Sequence, residues 1–133
     1  MKSIKQFLRS TRHALHGIAT LAKAERNFRL QLFIGTIVLV VQAVLPLEIW
    51  ERIIVILLIA GVLVLELGNS VIERFADAVH PRIHPIVREV KDMMAGAVLI
   101  AAVTAAVVGF LIFWPHVYNL ACAILALCTA VDV

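Results

Sequence analysis

Three long apolar stretches dominate this chain, and each is close to the length that a helix needs to cross a bilayer. They cover residues 30–47, 53–71 and 93–114, whereas a spanning helix needs about 20 predominantly apolar residues. With 62% hydrophobic and 16% charged residues in 133, a soluble core of this size could not hide the apolar surface. We therefore predict an all-α membrane protein with three transmembrane helices. A shorter apolar stretch, 120–131, is expected to continue the third helix or to lie at the membrane interface.

The segment before the first stretch, residues 1–29, is predicted to be an amphipathic surface helix. Apolar residues recur at a spacing near 3.6, with basic residues between them, at Ile4, Phe7, Leu8, Leu15 and Ile18. This pattern is typical of a helix that lies in the membrane interface. No apolar core of a signal peptide is seen in this segment, so we expect no cleavable signal. A membrane anchor and a direct part in an active site both remain open for it.

The distribution of Lys and Arg predicts the orientation in the membrane. The N-terminal segment carries seven, the first connection only Arg52, the second connection four, and the tail none. Because positively charged connections stay on the cytoplasmic side, we expect the N-terminus and the second connection inside and the tail outside.

A carboxylate interrupts the second apolar stretch. Glu66 lies within it, and placing a carboxylate near the bilayer centre costs roughly 3 kcal/mol, so such a residue usually lines a polar cavity. At 100° per residue, Asn69, Glu73 and Asp77 point into the same narrow sector as Glu66, and we place Ser70 off this face. The sequence therefore predicts a ladder of oxygen ligands, about 16 Å long, with Glu66 at its deep end.

Further charged residues are expected at the shallow end of this ladder. Lys91 and Asp92 open the third span, and Glu25 and Arg29 close the surface helix. Carboxylates suit a hard cation such as Mg²⁺, and Lys and Arg suit phosphate. This combination favours phosphoryl transfer, although neither a Walker loop nor a protein-kinase glycine-rich loop is present.

A different class of function is also compatible with these residues. A carboxylate ladder within three helices occurs in small oligomeric cation or proton transporters, and it can also hold a membrane assembly subunit together. A transporter needs charged groups toward both faces of the membrane. Here the charges concentrate at one face, which favours a site that opens to the cytoplasm only.

Three sequence motifs resemble those of a known protein family. They are ERNFR at 25–29, ELGNSVIE at 66–73 with Asp77, and His84-Pro85 followed by KDMMAGAV at 91–98. Over about residues 5–118 the chain resembles the small prokaryotic diacylglycerol kinases and undecaprenol kinases, which are integral-membrane lipid kinases. The resemblance implies an ATP- and Mg²⁺-dependent enzyme of the bacterial inner membrane. It also implies a homotrimer with sites between protomers, and no nucleic-acid partner.

The resemblance also implies roles for individual residues. Glu66 resembles the general base that takes the proton of the lipid hydroxyl, and Glu25 and Glu73 resemble the metal ligands, which different protomers can supply. Asn69 and Ala95 are expected beside the lipid. The positions expected around the nucleotide and its phosphates are Glu25, Arg29, Glu73, Asp77, Arg82, His84, Lys91 and Asp92.

Details of the motifs favour one substrate and mark one departure. The ERNFR string and the His-Pro pair look closer to the undecaprenol kinases, so undecaprenol is favoured over diacylglycerol as the acceptor. Gln31 stands where Glu or His often follows the Phe-Arg pair. We expect one membrane domain over 1–133, with a three-span core at about 30–118 and an apolar tail of unknown role at 119–133.

Overall fold

The computed structural model of this chain describes residues 2–79 and 85–131, and the side chains of 4–78 and 85–124. Four α-helices make up these ranges, and neither range contains a strand. They are α1 (Lys2–Ala24), α2 (Arg26–Val44), α3 (Ile49–Val79) and α4 (Pro85–Val131). The all-α fold is therefore confirmed.

Three of the helices are long and apolar enough to cross a membrane, over Arg26–Val44, Ile49–Ala78 and Pro85–Ile124. This confirms the three predicted spans. The large apolar side chains of these helices are mostly exposed, as expected where the surroundings are lipid. A helix is suited to that environment because it satisfies its own backbone hydrogen bonds.

The boundaries of the spans differ from the apolar stretches. The first stretch continues to residue 47, but α2 ends at Val44, and Leu45 is extended with φ −77° and ψ 147°. Pro46 explains this end, because proline disfavours helical geometry in the residue before it. At the other end of the chain α4 runs unbroken past residue 120 and contains Pro115. The stretch 120–131 is therefore a continuation of the third span, not a separate interfacial segment.

The surface helix α1 is joined to α2 through a single extended residue. Glu25 has φ −98° and ψ 121°, so the helical path breaks there. Arg29 Nη1 donates hydrogen bonds to the carbonyl oxygens of Ala22 at 3.3 Å and Lys23 at 3.0 Å. A cation that binds the last carbonyls of a helix stabilises its C-terminus. Glu25 is thus held at the corner between the surface helix and the first span.

The apolar face of α1 makes little contact with the rest of the protomer. Ile4, Phe7, Leu8 and Leu15 are exposed, whereas Leu21 near the end of the helix is buried. The helix is therefore anchored at its last turns, and the predicted membrane-facing side chains remain available to a bilayer.

The central span α3 packs against all three other helices. A small buried cluster of Leu45, Leu47, Val55 and Ile112 closes the end of the bundle that contains the α2–α3 connection. Closer to the middle, a Cβ built on Gly35 would lie 3.0 Å from Ile59 Cγ2. The missing side chain at Gly35 therefore lets α2 approach α3 closely.

Candidate active site

Three buried polar residues of α3 lie within about one turn near the middle of the chain. Glu66, Asn69 and Ser70 are only 4%, 9% and 2% exposed. Around them the large apolar side chains face outward, so the helix turns its polar groups inward. The expectation that Ser70 lies off this face is wrong, because a residue four positions after Glu66 is rotated by only about 40° from it.

Glu66 is paired with a residue of another helix. Gln31 Nε2 on α2 donates a hydrogen bond to Glu66 Oε2 at 3.2 Å. In the sequence Gln31 stood out only as a departure from a family pattern, and it was not expected in the site. A usable signal was present, since Gln31 is a polar residue within an apolar stretch that must pack against another span.

The next rung of the ladder lies within α3. Asn69 Nδ2 donates to Glu73 Oε1 at 3.3 Å. The amide oxygen of Asn69, Oδ1, is buried and has no partner among the described residues. Asn69 thus connects the deep part of the ladder to Glu73, and its Oδ1 can still accept a hydrogen bond.

The shallow end of the ladder reaches a third helix. Lys91 Nζ on α4 lies 2.9 Å from Asp77 Oδ1 on α3. Asp77 is largely exposed, with 73% of its side chain accessible. The structure therefore brings together Asp77 and Lys91, two residues expected near the nucleotide, where solvent reaches the site.

Glu25 is also tied to α3. Its Oε1 lies 3.3 Å from Arg74 Nη2, and Arg74 follows Glu73 directly in the chain. The corner between α1 and α2 is therefore fixed next to the polar face of α3. Arg74 was not among the residues expected in the site.

The carboxylates of the site differ from the ligand set of a closed metal cage. In the part of the chain that the structure describes, no three His, Cys, Asp or Glu side chains lie close enough to hold a metal ion alone. Mg²⁺ is commonly held by one or two carboxylates while phosphate oxygens and waters complete its shell. Glu25 and Glu73 are oxygen donors of that kind. The donor set fits a cation that binds together with phosphates better than one held in a protein cage.

The other residues that the sequence placed in the site do not take part in the side-chain contacts described above. Asp92 and Ala95 on α4 are exposed, and the Asp92 side chain forms no hydrogen bond or ion pair with another described residue. Arg29 donates its hydrogen bonds to backbone carbonyl oxygens at the end of α1, as described above. Arg82 and His84 lie outside the described residues.

An apolar cavity lies beside the Gln31–Glu66 pair. It has a volume of about 440 Å³, is open on one side, and is lined by residues of α2, α3 and α4, including Val38, Val62, Ala105 and Phe113. Ligand sites commonly have volumes of roughly 300–1,000 Å³. Gln31 contributes the one polar side chain among the residues that line it. The cavity therefore suits a hydrocarbon chain with a polar end near Gln31.

Comparison with known proteins identifies the family. Residues 12–113 match the family model described as prokaryotic diacylglycerol kinase. An undecaprenol kinase of Bacillus subtilis is 38% identical over 112 residues, which cover 84% of this chain and 91% of that protein. A diacylglycerol kinase of Synechocystis is 34% identical over 112 residues, covering 84% and 64% of the two chains. A diacylglycerol kinase of Pseudomonas aeruginosa is 30% identical over 98 residues, covering 74% and 80%.

The family match spans most of the helical core and includes the buried polar turn of α3, the corner at Glu25 and the Lys91–Asp77 pair. The chain therefore belongs to the prokaryotic diacylglycerol kinase family of membrane lipid kinases.

Proposed function

We propose that this lipid kinase transfers the γ-phosphoryl group of ATP to the hydroxyl of a membrane lipid alcohol, with undecaprenol favoured over diacylglycerol. The observation that carries the proposal is Glu66, a carboxylate that is 4% exposed inside a predicted span. Such intramembrane carboxylates are usually functional. Its neighbours Gln31 and Asn69 give it a polar environment.

Glu66 serves as the general base. The lipid hydroxyl gives its proton to the Glu66 carboxylate while its oxygen forms a bond to the γ-phosphorus. The bond from that phosphorus to the bridging oxygen breaks, and ADP leaves. Because phosphoryl transfer depends mainly on positioning and on neutralising the phosphate oxygens, a fixed base and nearby cations are the contributions expected from the protein.

The residues at the shallow end of the site hold the nucleotide. Lys91, which Asp77 orients, provides a positive charge for phosphate oxygens. Mg²⁺ bound by Glu25 and Glu73 would neutralise charge on the phosphates. The other proposed nucleotide residues are Arg29, Arg82, His84 and Asp92. Asn69 and Ala95 are proposed to contact the lipid, and the buried, unpartnered oxygen of Asn69 supports a polar ligand there.

The three relatives, taken together, support undecaprenol as the acceptor. The chain is matched over 91% of the length of a protein named undecaprenol kinase. It is matched over 64% and 80% of the two proteins named diacylglycerol kinase, at lower identity. The product would then enter cell-envelope lipid metabolism; with diacylglycerol as acceptor it would enter phospholipid metabolism.

We also propose that the N-terminus and the site face the cytoplasm of the bacterial inner membrane. The support is the seven Lys and Arg residues of the N-terminal segment, given the preference of such charges for the inner side. A homotrimer with sites between protomers is proposed as well. In such a trimer, a second protomer could supply further carboxylates to the metal, since the described residues of one protomer do not bring three together.

The test is transfer of labelled γ-phosphate from MgATP to undecaprenol and to diacylglycerol in matched mixed micelles. Glu66→Gln should retain nucleotide binding and lower turnover by about 10²–10⁴-fold, the usual effect of a general base. Glu51→Gln is the matched control, because it removes another buried carboxylate from α3 at the opposite end of the bundle. It should transfer phosphate at close to the wild-type rate.

Each possible outcome has a distinct meaning. Wild-type turnover by Glu66→Gln would disprove the assignment of the base. A strong preference for diacylglycerol would overturn the choice of undecaprenol. Absence of transfer to both lipids, with nucleotide still bound, would indicate a different acceptor.

A further inference from the structure

Gln31 lies where the buried polar turn of α3 meets the apolar cavity. Its amide nitrogen faces Glu66, and its side chain also lines the cavity between α2, α3 and α4. No other residue that lines the cavity has a polar side chain. A hydrocarbon chain in this cavity would therefore meet the Gln31 amide at its polar end.

The amide nitrogen restrains Glu66. Gln31 Nε2 donates to Glu66 Oε2 at 3.2 Å across the α2–α3 interface. One turn further along α2, Gly35 allows the backbone to approach α3 so closely that an added Cβ would lie 3.0 Å from Ile59. Because the backbones are held this near, the Gln31 side chain has a fixed position from which to orient the carboxylate.

The amide oxygen lacks a donor. Gln31 Oε1 is buried, and none of the described residues gives it a hydrogen bond. Leaving a buried acceptor unpaired costs free energy, so a ligand that supplies a donor there gains affinity. The apolar lining of the cavity cannot supply one, whereas the hydroxyl of a lipid alcohol can.

We infer that Gln31 is a positioning residue that selects for an alcohol end group: its Nε2 orients Glu66, and its Oε1 accepts a hydrogen bond from the lipid hydroxyl when the lipid binds. This inference rests on the proposed function. When the phosphoryl group is in place, the lipid hydroxyl turns its O–H from Gln31 Oε1 to the Glu66 carboxylate, which takes the proton as the lipid oxygen bonds to the γ-phosphorus and the bond to ADP breaks. The amide itself gains and loses no proton.

Gln31→Met tests both contacts, because methionine has nearly the same shape and offers neither hydrogen bond. We expect kcat divided by KM for the lipid alcohol to fall roughly 10²-fold, as misplaced reacting groups can produce, while the KM for MgATP stays within about twofold. The matched control is Gln42→Met. Gln42 is a second buried glutamine of α2 whose Oε1 also lacks a partner among the described residues, and it lies away from Glu66.

Gln31→Glu separates the two roles. It keeps an acceptor oxygen but cannot donate to Glu66 when ionised, so kcat should fall while the KM for the lipid alcohol stays near the wild-type value. Gln31→Met should also be non-additive with Glu66→Asp, whose shorter side chain withdraws the carboxylate from Gln31. A purely structural residue would show additive losses in such a cycle.

The inference is overturned if Gln31→Met behaves like Gln42→Met, if it raises the KM for MgATP as much as that for the lipid, or if its loss is additive with Glu66→Asp. The proposed function survives those results, provided that the wild type phosphorylates a lipid alcohol and Glu66→Gln does not. If the wild type phosphorylates neither lipid, the proposed function and this inference both fail.

Discussion

His116 on α4 and Glu51 on α3 form a partly buried pair at the end of the bundle opposite the active site. His116 Nε2 lies 3.1 Å from both carboxylate oxygens of Glu51. Glu51 Oε2 also accepts a hydrogen bond from the backbone N–H of Glu48 at 2.8 Å. Since Glu51 and Glu66 are separated by about 22 Å along α3, we expect this pair to join helices and to take no part in the proposed phosphoryl transfer.

Replacing His116 should therefore weaken the bundle without changing the chemistry. His116→Leu leaves the Glu51 carboxylate without its partner on α4, so the thermal unfolding midpoint in detergent should fall by several degrees. The KM for MgATP should be unchanged. His13→Leu, at an exposed position of α1, is the control and should leave the midpoint unaltered. A loss of activity with an unchanged midpoint would contradict a structural role for this pair.

Arg52 should be a second stability determinant of the same end. Its guanidinium donates hydrogen bonds to the carbonyl oxygens of Gln42 at 2.8 Å, Leu45 at 3.0 Å and Leu47 at 3.2 Å. The Gln42 and Leu45 carbonyls lie at the end of α2, where the helix has no further N–H groups to offer, and the Leu47 carbonyl lies in the α2–α3 connection. Arg52→Ala should lower the free energy of unfolding by about 1.5–3 kcal/mol, the range for hydrogen bonds to a charged group.

The test is denaturant unfolding in micelles, with Arg52→Lys alongside. Lysine should recover only part of the loss, because it cannot present the planar fork of a guanidinium. Full recovery by lysine would show that charge alone matters at this position. Arg9→Ala, at an exposed position of α1, serves as the control.

Lys91 should matter for the nucleotide and little for the fold. It is bound to the exposed carboxylate of Asp77, and exposed ion pairs contribute little to stability. Lys91→Met should raise the KM for MgATP about tenfold or more, since a charge-assisted contact to phosphate is lost, and leave the unfolding midpoint unchanged. Arg88→Met removes another cation from an exposed position of α4 and should change the KM little. Equal effects of both variants would indicate a general electrostatic effect.

Arg74 should compete with a metal ion for Glu25. The arginine lies 3.3 Å from Glu25 Oε1 on a half-exposed part of the site. Arg74→Gln would free this carboxylate, so half-maximal activity should require less Mg²⁺, by up to about fivefold for a pair of this exposure. The measurement is a Mg²⁺ titration of lipid phosphorylation at saturating ATP. A higher Mg²⁺ requirement in the variant would show that Arg74 helps to hold the nucleotide complex.

Properties that depend on local sequence were predicted well. Three spans, the amphipathic α1 and the order of Glu66, Asn69, Glu73 and Asp77 along α3 follow from hydrophobicity and helical periodicity. The same helical period places Ser70 on the side of α3 that Glu66 occupies. The expectation that Ser70 lies off this face was therefore an arithmetic error, and the sequence itself was not misleading. The family match also supports the lipid kinase over the transporter and assembly-subunit alternatives.

Hydrophobicity and helical periodicity were enough to predict which segments cross the membrane and which polar residues share a face of α3, because both depend on neighbours within one helix. The pairs that define the candidate site and its supports became visible only once the helices were packed together. Gln31 meets Glu66 across 35 residues, Glu25 meets Arg74 across 49, and His116 meets Glu51 across 65. Such pairs depend on how closely and at what rotation two helices pack, which at Gly35 is set by a missing side chain and not by any periodic pattern.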